Sequence, residues 1–568
     1  MIPAPLNVTS DPGQLRVRCG VRVEYTEAAL EPIVDRFRQD VARRTGLRLE
    51  AVQTARGAPA EDVPSICIEL GDGADLDVLP EPIGISPMGK FAQNECYSLT
   101  IGTDRIVVRG IEAVGAARGL TTLVQLLATT PPGADGAVVL HAAHILDAPR
   151  FAWRSLHFDV VRTFFTVQEV KRVIDLLAVY KCNALSIHLT DDEAWRIEAG
   201  RPAGYKSDAS FYTNAELGEL IRYAEDRFIT LIPLVNTPGH ANALVQMRPE
   251  LNSGRNTLEF DLKSPSGTKH RSAWLDPELP ATYQAVEAVL AEIAGVFPGP
   301  YIFIGGDEPF GMPDELYDAY VRHVHAFVRS IGKRTLGFQE SMRSGIDRDH
   351  LIMYWISKTD LAGSSLPLPA HFAAMIKKNI ARSHEDVERA LALSIPILLS
   401  PLSHAFFDVP YAERSADPRQ EERRLGVGLR AYAPKTIAET FDWEPAEALG
   451  PNARPANLAG GRGGDMGRDH QGLYRPDVHA PAAARRHRRE GMERRAGVVM
   501  GRPPRAPGRA RPTLDPGRPD LLQVFCCRLG TGYDPPGSRP AKQRLALRPK
   551  ADIHKPATLP GPGLIALY

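Results

Sequence analysis

The sequence predicts an α/β protein, a (β/α)8 TIM barrel that follows a small α+β domain. From Phe151 onward, short apolar strands alternate with amphipathic helices. Seven of these strands are almost continuously apolar, which is typical of parallel strands covered on both faces. Polar and acidic residues follow the strands, at the end where parallel barrels carry their functional groups. An eighth strand is missing from the pattern, so the predicted barrel is incomplete.

The α+β domain is predicted to occupy residues 1–148. Tyr97–Ile101 and Arg105–Arg109 alternate in polarity as strands do, with a Gly-Thr-Asp turn between them. The stretch from Gly115 to Leu127 then predicts a helix with leucines along one side. The sequence therefore indicates a compact unit in which a sheet is covered by at least one helix.

The barrel is predicted to occupy residues 149–460. Between the first two strands, Val170, Val173, Ile174 and Leu177 recur at helical spacing. A capping box at Thr213–Glu216 opens the helix that follows the second strand. The predicted strands are Ser155–Val160, Ala184–Leu189, Ile229–Val235, Tyr301–Ile304, Thr335–Gln339, Leu351–Ile356 and Ile395–Ser400.

Composition excludes several classes of protein. The hydrophobic share of 43% and the charged share of 24% are those of a globular chain, and no apolar run reaches the ~18 residues that would span a membrane. Neither a basic, apolar secretory signal nor a phosphate-binding glycine loop after a strand is visible. The cysteines have neither zinc-site nor disulfide spacing. We therefore expect no metal, no organic cofactor and no membrane partner. The absence of a visible export signal favours a cytoplasmic location, but the sequence leaves the location open.

Residues 461–568 differ from the rest of the chain. This segment holds 18 Arg and 3 Lys against 9 Asp and Glu, a net charge of +12, and is rich in Gly and Pro. A basic, disordered tail is one interpretation, and a nucleic-acid-binding protein is the functional alternative that it raises. The tail has few interleaved aromatic residues, so we predict no nucleic-acid partner.

A shifted reading frame is the second interpretation of this tail. Read one base later, the codons of Met466-Gly467 and of Met492-Glu493 each force a tryptophan. We hypothesise one extra base near codon 460, and we call the protein encoded without it the frame-restored chain. The 568-residue chain would then lack the strand that closes the barrel, and strands one and seven would keep unpaired edges. We therefore expect it to be poorly soluble or inactive.

The Gly305-Gly306-Asp307-Glu308 turn at the end of strand four is the strongest chemical signal. Glycines at a strand end allow a sharp turn or the close approach of a ligand. Neighbouring carboxylates repel, which favours a protonated acid that can donate its proton. The carboxylates, histidines and aromatic residues that follow the barrel strands are typical of a sugar-binding site. Consecutive strand residues point to opposite sides, however, so two adjacent acids do not easily flank one glycosidic bond.

Around this turn the chain resembles glycoside hydrolase family 20, the β-N-acetylhexosaminidases. The resemblance rests on FDVVRTFFTVQEVKRVIDLLAVYKCNALSIHLTDDEAWRIE, on NTPGHA and on IGGDEP, in that order. It covers about four fifths of the chain, including the α+β domain. It implies a metal-free, exo-acting hydrolase of N-acetylhexosamine-terminated oligosaccharides or glycoconjugates. In this family the substrate's own acetamido oxygen attacks the anomeric carbon.

The resemblance also implies catalytic roles for four residues. Glu308 would be the general acid and base, and Asp307 would orient and polarise the acetamido group. Asp191 and His240 would form a supporting pair that tunes Glu308.

Further residues are implied to bind the sugar. Arg162 would hold the 3- and 4-hydroxyl groups, although a salt bridge to Asp159 is the structural alternative for this side chain. Trp355 would form a wall of the acetamido pocket unless it is a residue of the barrel core. The other implied substrate-binding positions are Phe338, Phe406 and Asp408.

Several residues depart from the family pattern. Phe303, Phe338 and Phe406 stand where the family commonly has a histidine, a tryptophan and a tyrosine. Leu234 and Asn236 replace two acids near NTPGHA. These departures motivate an alternative function, a non-catalytic N-acetylglucosamine-binding relative.

Overall fold

The computed structural model describes residues 1–55, 64–71, 73, 75–205, 210–261, 269–357, 370–407, 409–426, 432–441, 443–449, 458–460 and 565–567. None of the helices in this part of the chain is long and apolar enough to cross a membrane. Almost all of the predicted tail, residues 461–564 and 568, lies outside the described residues, as does Asp408.

A seven-stranded mixed sheet forms the N-terminal part of the fold. Its strands are β1 (Asn7–Val17), β2 (Arg22–Tyr25), β3 (Glu50–Gln53), β4 (Ser65–Leu70), β5 (Tyr97–Ile101), β6 (Arg105–Gly110) and β7 (Val138–Asp147), in the spatial order β1-β7-β5-β6-β4-β2-β3. The predicted hairpin is confirmed, since β5 and β6 pair antiparallel up to Ile101 and Ile106. The helices α1 (Glu31–Thr45) and α2 (Ala113–Thr129) accompany the sheet. Leu120, Leu123 and Leu127 of α2 are buried in the same apolar core as the strands.

The second part of the fold is a curled parallel sheet with helices between its strands. The first three strands of this sheet are β8 (Ser155–Asp159), β9 (Ala184–Thr190) and β10 (Thr230–Thr237). The loop after β10 carries a separate hairpin of β11 (Thr257–Asp261) and β12 (Lys269–Ala273). The sheet continues with β13 (Tyr301–Gly305), β14 (Arg334–Phe338), β15 (Leu351–Tyr354), β16 (Ile397–Leu399) and β17 (Leu458–Gly460). The helices are α3 (Val167–Val179), α4 (Asn214–Glu225), α5 (Asn242–Met247), α6 (Pro280–Val296), α7 (Asp314–Ser330), α8 (Ala370–Leu393), α9 (Leu402–Ala405), α10 (Pro418–Gly426) and α11 (Ile437–Phe441). All seven predicted barrel strands are confirmed, and the predicted capping box is present at the start of α4.

The edges of this sheet differ from the prediction. The expected loss of the eighth strand is only partial, because Leu458–Gly460 forms the three-residue strand β17, parallel to β16. At the other edge, a short strand β18 (Ile565–Leu567) pairs antiparallel with β8. The expectation that strands one and seven keep unpaired edges is therefore wrong. Among the described residues the sheet order runs from β17 to β18, which are not paired with each other.

Buried ionic clusters join the N-terminal sheet to the barrel. Glu95 Oε2 accepts hydrogen bonds from Arg118 Nε at 2.7 Å and from Arg154 Nη2 at 2.6 Å. Burial opposes the charge of Glu95, but Arg154 and Arg118 outweigh burial and lower its pKa to about 2. Nearby, Lys181 Nζ donates to Asp147 Oδ2 at 2.8 Å. Because an unpaired buried charge is costly, these contacts hold the first two barrel strands against the N-terminal sheet.

Candidate active site

The sequence-predicted site residues lie at one end of the parallel sheet, after the carboxyl ends of its strands. This placement follows from the topology, since parallel strands present all of their carboxyl ends at the same edge. Each strand from β8 to β10 and from β13 to β16 contributes a side chain to this end. In strand order these are Asp159 and Arg162, Asp191 and Asp192, His240, Asp307 and Glu308, Phe338, Trp355, and Phe406.

The turn after β13 has an unusual backbone. Gly305 and Gly306 have φ values of 79° and 95°, and Glu308 itself has a φ of 44°. A Cβ atom on Gly305 would lie 1.8 Å from Asn236 Oδ1, so only glycine fits at that position. The left-handed conformation of Glu308 is uncommon for a residue with a side chain. This turn ends the regular alternation of the strand.

As a consequence, both acids approach the same imidazole. His240 Nε2 lies 3.6 Å from Asp307 Oδ2 and 3.6 Å from Glu308 Oε2. The expectation that adjacent acids point to opposite sides fails here, because a strand's alternation does not extend through left-handed backbone. The Asp307 side chain is 15% exposed and that of Glu308 is 30% exposed, so Glu308 is the more accessible acid.

His240 connects the two acids to Asp191. Its Nδ1 lies 2.9 Å from Asp191 Oδ1, a hydrogen-bond distance. Burial opposes the charge of His240, but Asp191 and Asp307 outweigh burial and hold its pKa well above the usual value. Burial likewise opposes the charge of Asp191, whereas Arg162 and His240 hold the pKa of this carboxyl well below its usual range. The pair is therefore an imidazolium beside a carboxylate.

Asp307 has the opposite pKa shift. Burial raises its pKa to about 6; His240 opposes this rise, and the negative charges of Glu340 and Glu308 add to it. A carboxyl group with a pKa near 6 is a stronger base and a better hydrogen-bond acceptor than an ordinary aspartate. Such shifts are frequent at functional sites.

Arg162 is engaged by three carboxylates. Its Nη1, Nη2 and Nε lie 2.9, 3.0 and 3.0 Å from oxygens of Asp159, Asp191 and Glu193, respectively. The salt bridge to Asp159 is thus present, together with two that were not predicted from the sequence. The guanidinium group is held by three ion pairs, and 25% of the Arg162 side chain is still exposed.

An aromatic wall lines the side of the site formed by β14, β15 and the chain after β16. The ring centroids of Phe338 and Trp355 are 6.2 Å apart, and Trp355 stacks on Phe406 at 6.4 Å with an interplanar angle of 13°. All three side chains are mostly buried, between 7% and 9% exposed. Phe303 is fully buried beneath Phe338, at 4.7 Å between centroids. The departure at Phe303 therefore lies under the site and not in its cavity.

One cluster has the spacing of a metal site. Ligand atoms of Asp191, Asp192 and His240 lie within 4.8 Å of one another. These atoms already have partners: Asp191 binds Arg162 and His240, and Asp192 Oδ1 accepts the backbone N–H groups of Asn242 at 2.9 Å and Ala273 at 3.2 Å. A cation would also meet the charges of Arg162 and His240. The chemistry of this cluster therefore fits a network of ion pairs and hydrogen bonds better than a metal centre.

Two acids of the site, Glu193 and Glu340, were given no catalytic or binding role from the sequence. Glu193 contacts Arg162 and directly follows Asp191-Asp192, so its place in the same loop was the available signal. Glu340 follows β14 and accepts a hydrogen bond from Trp355. The sequence gives a weaker indication of a role for Glu340, because an acid two residues beyond a strand is usually solvated.

The chain matches family models over most of its described length. Residues 151–463 match a model described as glycosyl hydrolase family 20, catalytic domain, and residues 1–148 match one described as glycosyl hydrolase family 20, domain 2. It is 31% identical to a β-N-acetylhexosaminidase of Cellulomonas fimi over 380 residues, which are 65% of this chain and 68% of the relative. It is 32% identical to a β-hexosaminidase of Vibrio furnissii, spanning 61% of this chain and only 58% of that relative.

The fold of this chain is also similar to solved structures. A mutant β-hexosaminidase of Streptomyces plicatus in complex with the product GlcNAc aligns with a TM-score of 0.63 at 26% identity, covering 81% of this chain and 84% of that one. The family 20 β-N-acetylhexosaminidase of Streptomyces coelicolor aligns with a TM-score of 0.62 at 26% identity and the same coverage.

Proposed function

The chain belongs to glycosyl hydrolase family 20, and we propose that it is an exo-acting β-N-acetylhexosaminidase. The observation that carries the proposal is the convergence of Asp307 and Glu308 on His240, beside an aromatic wall at the carboxyl end of the barrel. The relatives named as β-hexosaminidases support it. Its substrate would be an oligosaccharide or glycoconjugate that ends in N-acetylhexosamine.

The two adjacent acids suit a reaction in which only one of them acts on the glycosidic oxygen. Glu308, the more accessible acid, protonates the leaving oxygen while the substrate's acetamido oxygen attacks the anomeric carbon. The bond to the leaving group breaks, and a cyclic oxazolinium ion forms. Glu308 then removes a proton from the water that opens this ring, and the β configuration is retained.

Asp307 acts on the acetamido group. As a carboxylate it accepts the amide N–H, which orients the carbonyl oxygen toward the anomeric carbon. It also stabilises the positive charge that develops on the amide during ring closure. The imidazolium of His240, held by Asp191, stabilises the carboxylate of Glu308 after proton transfer.

Substrate binding is assigned to the groups around these acids. The fixed guanidinium of Arg162 donates hydrogen bonds to the 3- and 4-hydroxyl groups. Trp355, Phe338 and Phe406 enclose the acetamido methyl group and exclude water from it. Asp408 is assigned to the sugar hydroxyls from the family resemblance alone.

Substrates with and without the acetamido group test this mechanism. We expect the frame-restored chain to hydrolyse para-nitrophenyl N-acetyl-β-glucosaminide at least about 10³-fold faster than para-nitrophenyl β-glucoside, because an intramolecular nucleophile has a high effective concentration. The measurement is kcat/KM for both glycosides at one pH. Equal rates would contradict substrate assistance, and binding of N-acetylglucosamine without any hydrolysis would support the sugar-binding alternative.

The pH dependence of activity tests the role of Asp307. Its pKa is raised to about 6, so the group is ionised above that pH and protonated below it. Because the mechanism uses the ionised form, we expect kcat/KM to fall as the pH drops through about 6. Initial rates between about pH 4 and pH 8 measure this limb. An activity that stays constant down to pH 5, well below this pKa, would be inconsistent with a carboxylate role for Asp307.

A further inference from the structure

Glu340 is a fully buried acid next to the aromatic wall. It lies in the 3-10 turn Gln339–Ser344 that follows β14. Its Oε2 accepts the indole N–H of Trp355 at 3.1 Å, and its Oε1 accepts the side-chain amide of Asn379 at 2.9 Å. Both carboxyl oxygens of Glu340 are therefore held by uncharged hydrogen-bond donors.

The Glu340 carboxyl group is not part of an ion pair within the described part of the chain. Among the described residues, no cationic side chain lies within 4.0 Å of the Glu340 carboxylate. The nearby Arg343 is taken by Asp386, with its Nε 3.1 Å from both carboxylate oxygens and its Nη2 2.8 Å from Oδ2. A buried carboxylate whose hydrogen-bond donors are both neutral is costly to the fold, although the charges of Arg343 and Glu340 also act on each other from beyond ion-pair distance. Such arrangements are frequent where a site uses the charge.

The turn that carries Glu340 packs on the turn that carries Asp307. A Cβ atom placed on Gly306 would lie 3.7 Å from Ser341 Cβ, the residue after Glu340, and 3.2 Å from the Tyr317 hydroxyl. That hydroxyl donates to the backbone carbonyl of Gly306 at 2.7 Å. The two turns are therefore neighbours.

We propose that Glu340 is a positioning residue of the active site: its carboxylate anchors the ring of Trp355 and places a negative charge near Asp307. The inference rests on the proposed function. The first effect fixes one wall of the acetamido pocket through the indole N–H. The second makes Asp307 a stronger acceptor for the acetamido N–H and strengthens the field that stabilises the positive oxazolinium.

The charges around Asp307 agree with this role. Burial has the largest effect and raises the pKa of Asp307. Among the neighbouring charges His240 has the largest effect and lowers this pKa. The acids that raise it are, in decreasing order of effect, Glu340, Glu308 and Asp191. Glu308 and Asp191 are already committed to proton transfer and to His240. Glu340 is the remaining acid that acts on Asp307, and it touches neither substrate nor His240 in the proposed mechanism.

Two substitutions of Glu340 separate the effect of its hydrogen bond to Trp355 from the effect of its negative charge on Asp307. Glu340→Gln keeps an amide oxygen for the indole N–H of Trp355 and removes the charge, and the Asn379 amide can rotate to accept from the new amide. Glu340→Met removes both. The matched control is Glu95→Gln, which neutralises another buried acid at the interface with the N-terminal sheet. All three are made in the 568-residue chain and in the frame-restored chain.

We expect Glu340→Gln to move the acidic limb of kcat/KM to lower pH by about 0.5 to 1 unit, with KM changed less than about twofold. The ratio of kcat/KM at pH 5 to that at pH 7 therefore rises. Glu340→Met is expected to raise KM at least about tenfold as well, because the Trp355 ring loses its acceptor. Glu95→Gln is expected to lower the melting temperature and to leave the limb in place.

The outcomes distinguish the two proposals. Hydrolysis by the unsubstituted protein, with an unmoved acidic limb in Glu340→Gln, overturns the inference and leaves the proposed function standing. If neither unsubstituted chain hydrolyses the N-acetylglucosaminide, the proposed function fails and the inference fails with it. Should Glu340→Met not fold, the limb of Glu340→Gln still decides.

Discussion

Replacing Glu308 with glutamine lowers kcat for an N-acetyl-β-glucosaminide by about 10² to 10⁴-fold, the usual contribution of general acid–base catalysis. The amide keeps the shape of the side chain but has no proton to give to the leaving oxygen. We expect the loss to be largest for substrates with a poor leaving group, such as a second sugar. It should be smaller for a dinitrophenyl glycoside, whose leaving group needs little protonation. Steady-state rates with both substrates measure the difference.

The control for this substitution is Glu315→Gln. Glu315 is an exposed acid in the first turn of α7, seven residues further along the same loop and helix. We expect its replacement to change kcat less than about twofold, as surface substitutions usually do. Equal losses in both variants, or an unchanged dependence on the leaving group in Glu308→Gln, would show that Glu308 is not the acid.

The second large effect concerns the end of the chain. We expect the frame-restored chain to have a kcat/KM at least about 10²-fold higher than the 568-residue chain, because positioning of substrate depends on a completed site. The eighth strand, β17, has only three residues here, Leu458–Gly460, and the forced tryptophan of the other frame follows it closely. The comparison uses soluble protein of both chains, assayed with the same N-acetylglucosaminide.

Sequencing the gene through codon 460 is the companion measurement. A continuous frame in independent reads would refute the extra base. Equal activity of the two proteins would show that residues beyond Gly460 are not needed for the site, whatever the frame.

Much of the barrel could be predicted because its strands are apolar runs of ordinary length. The boundaries were harder to predict, for physical reasons that individual residues illustrate. The strand expected at Leu351–Ile356 ends at Tyr354, since the next two backbone N–H groups donate to the side chain of Gln339. The strand expected at Ile395–Ser400 begins at Ile397, because Pro396 has no N–H for the ladder. With only three residues, β17 is too short to show the alternation of polar and apolar residues that would predict a strand.

The site was predictable as a set of strand ends but not as a geometry. The sequence places Asp307, Glu308 and His240 after strands four and three, and the topology brings them together. That both acids reach one imidazole nitrogen depends on the left-handed backbone of Glu308, which no spacing rule gives. The partners of Glu340 are 15 and 39 residues away in sequence, so its burial could not be read from its neighbours.

The turn that directs Asp307 and Glu308 toward His240 also lowers the stability of the folded chain. A side chain in left-handed backbone costs on the order of 1 kcal/mol, and at Glu308 this cost is added to the repulsion between neighbouring carboxylates. A protein optimised only for thermal resistance would have glycine or asparagine at this position. A Glu308→Gly variant, which removes both costs together with the acid, is therefore expected to be inactive and to withstand heat at least as well as its active parent.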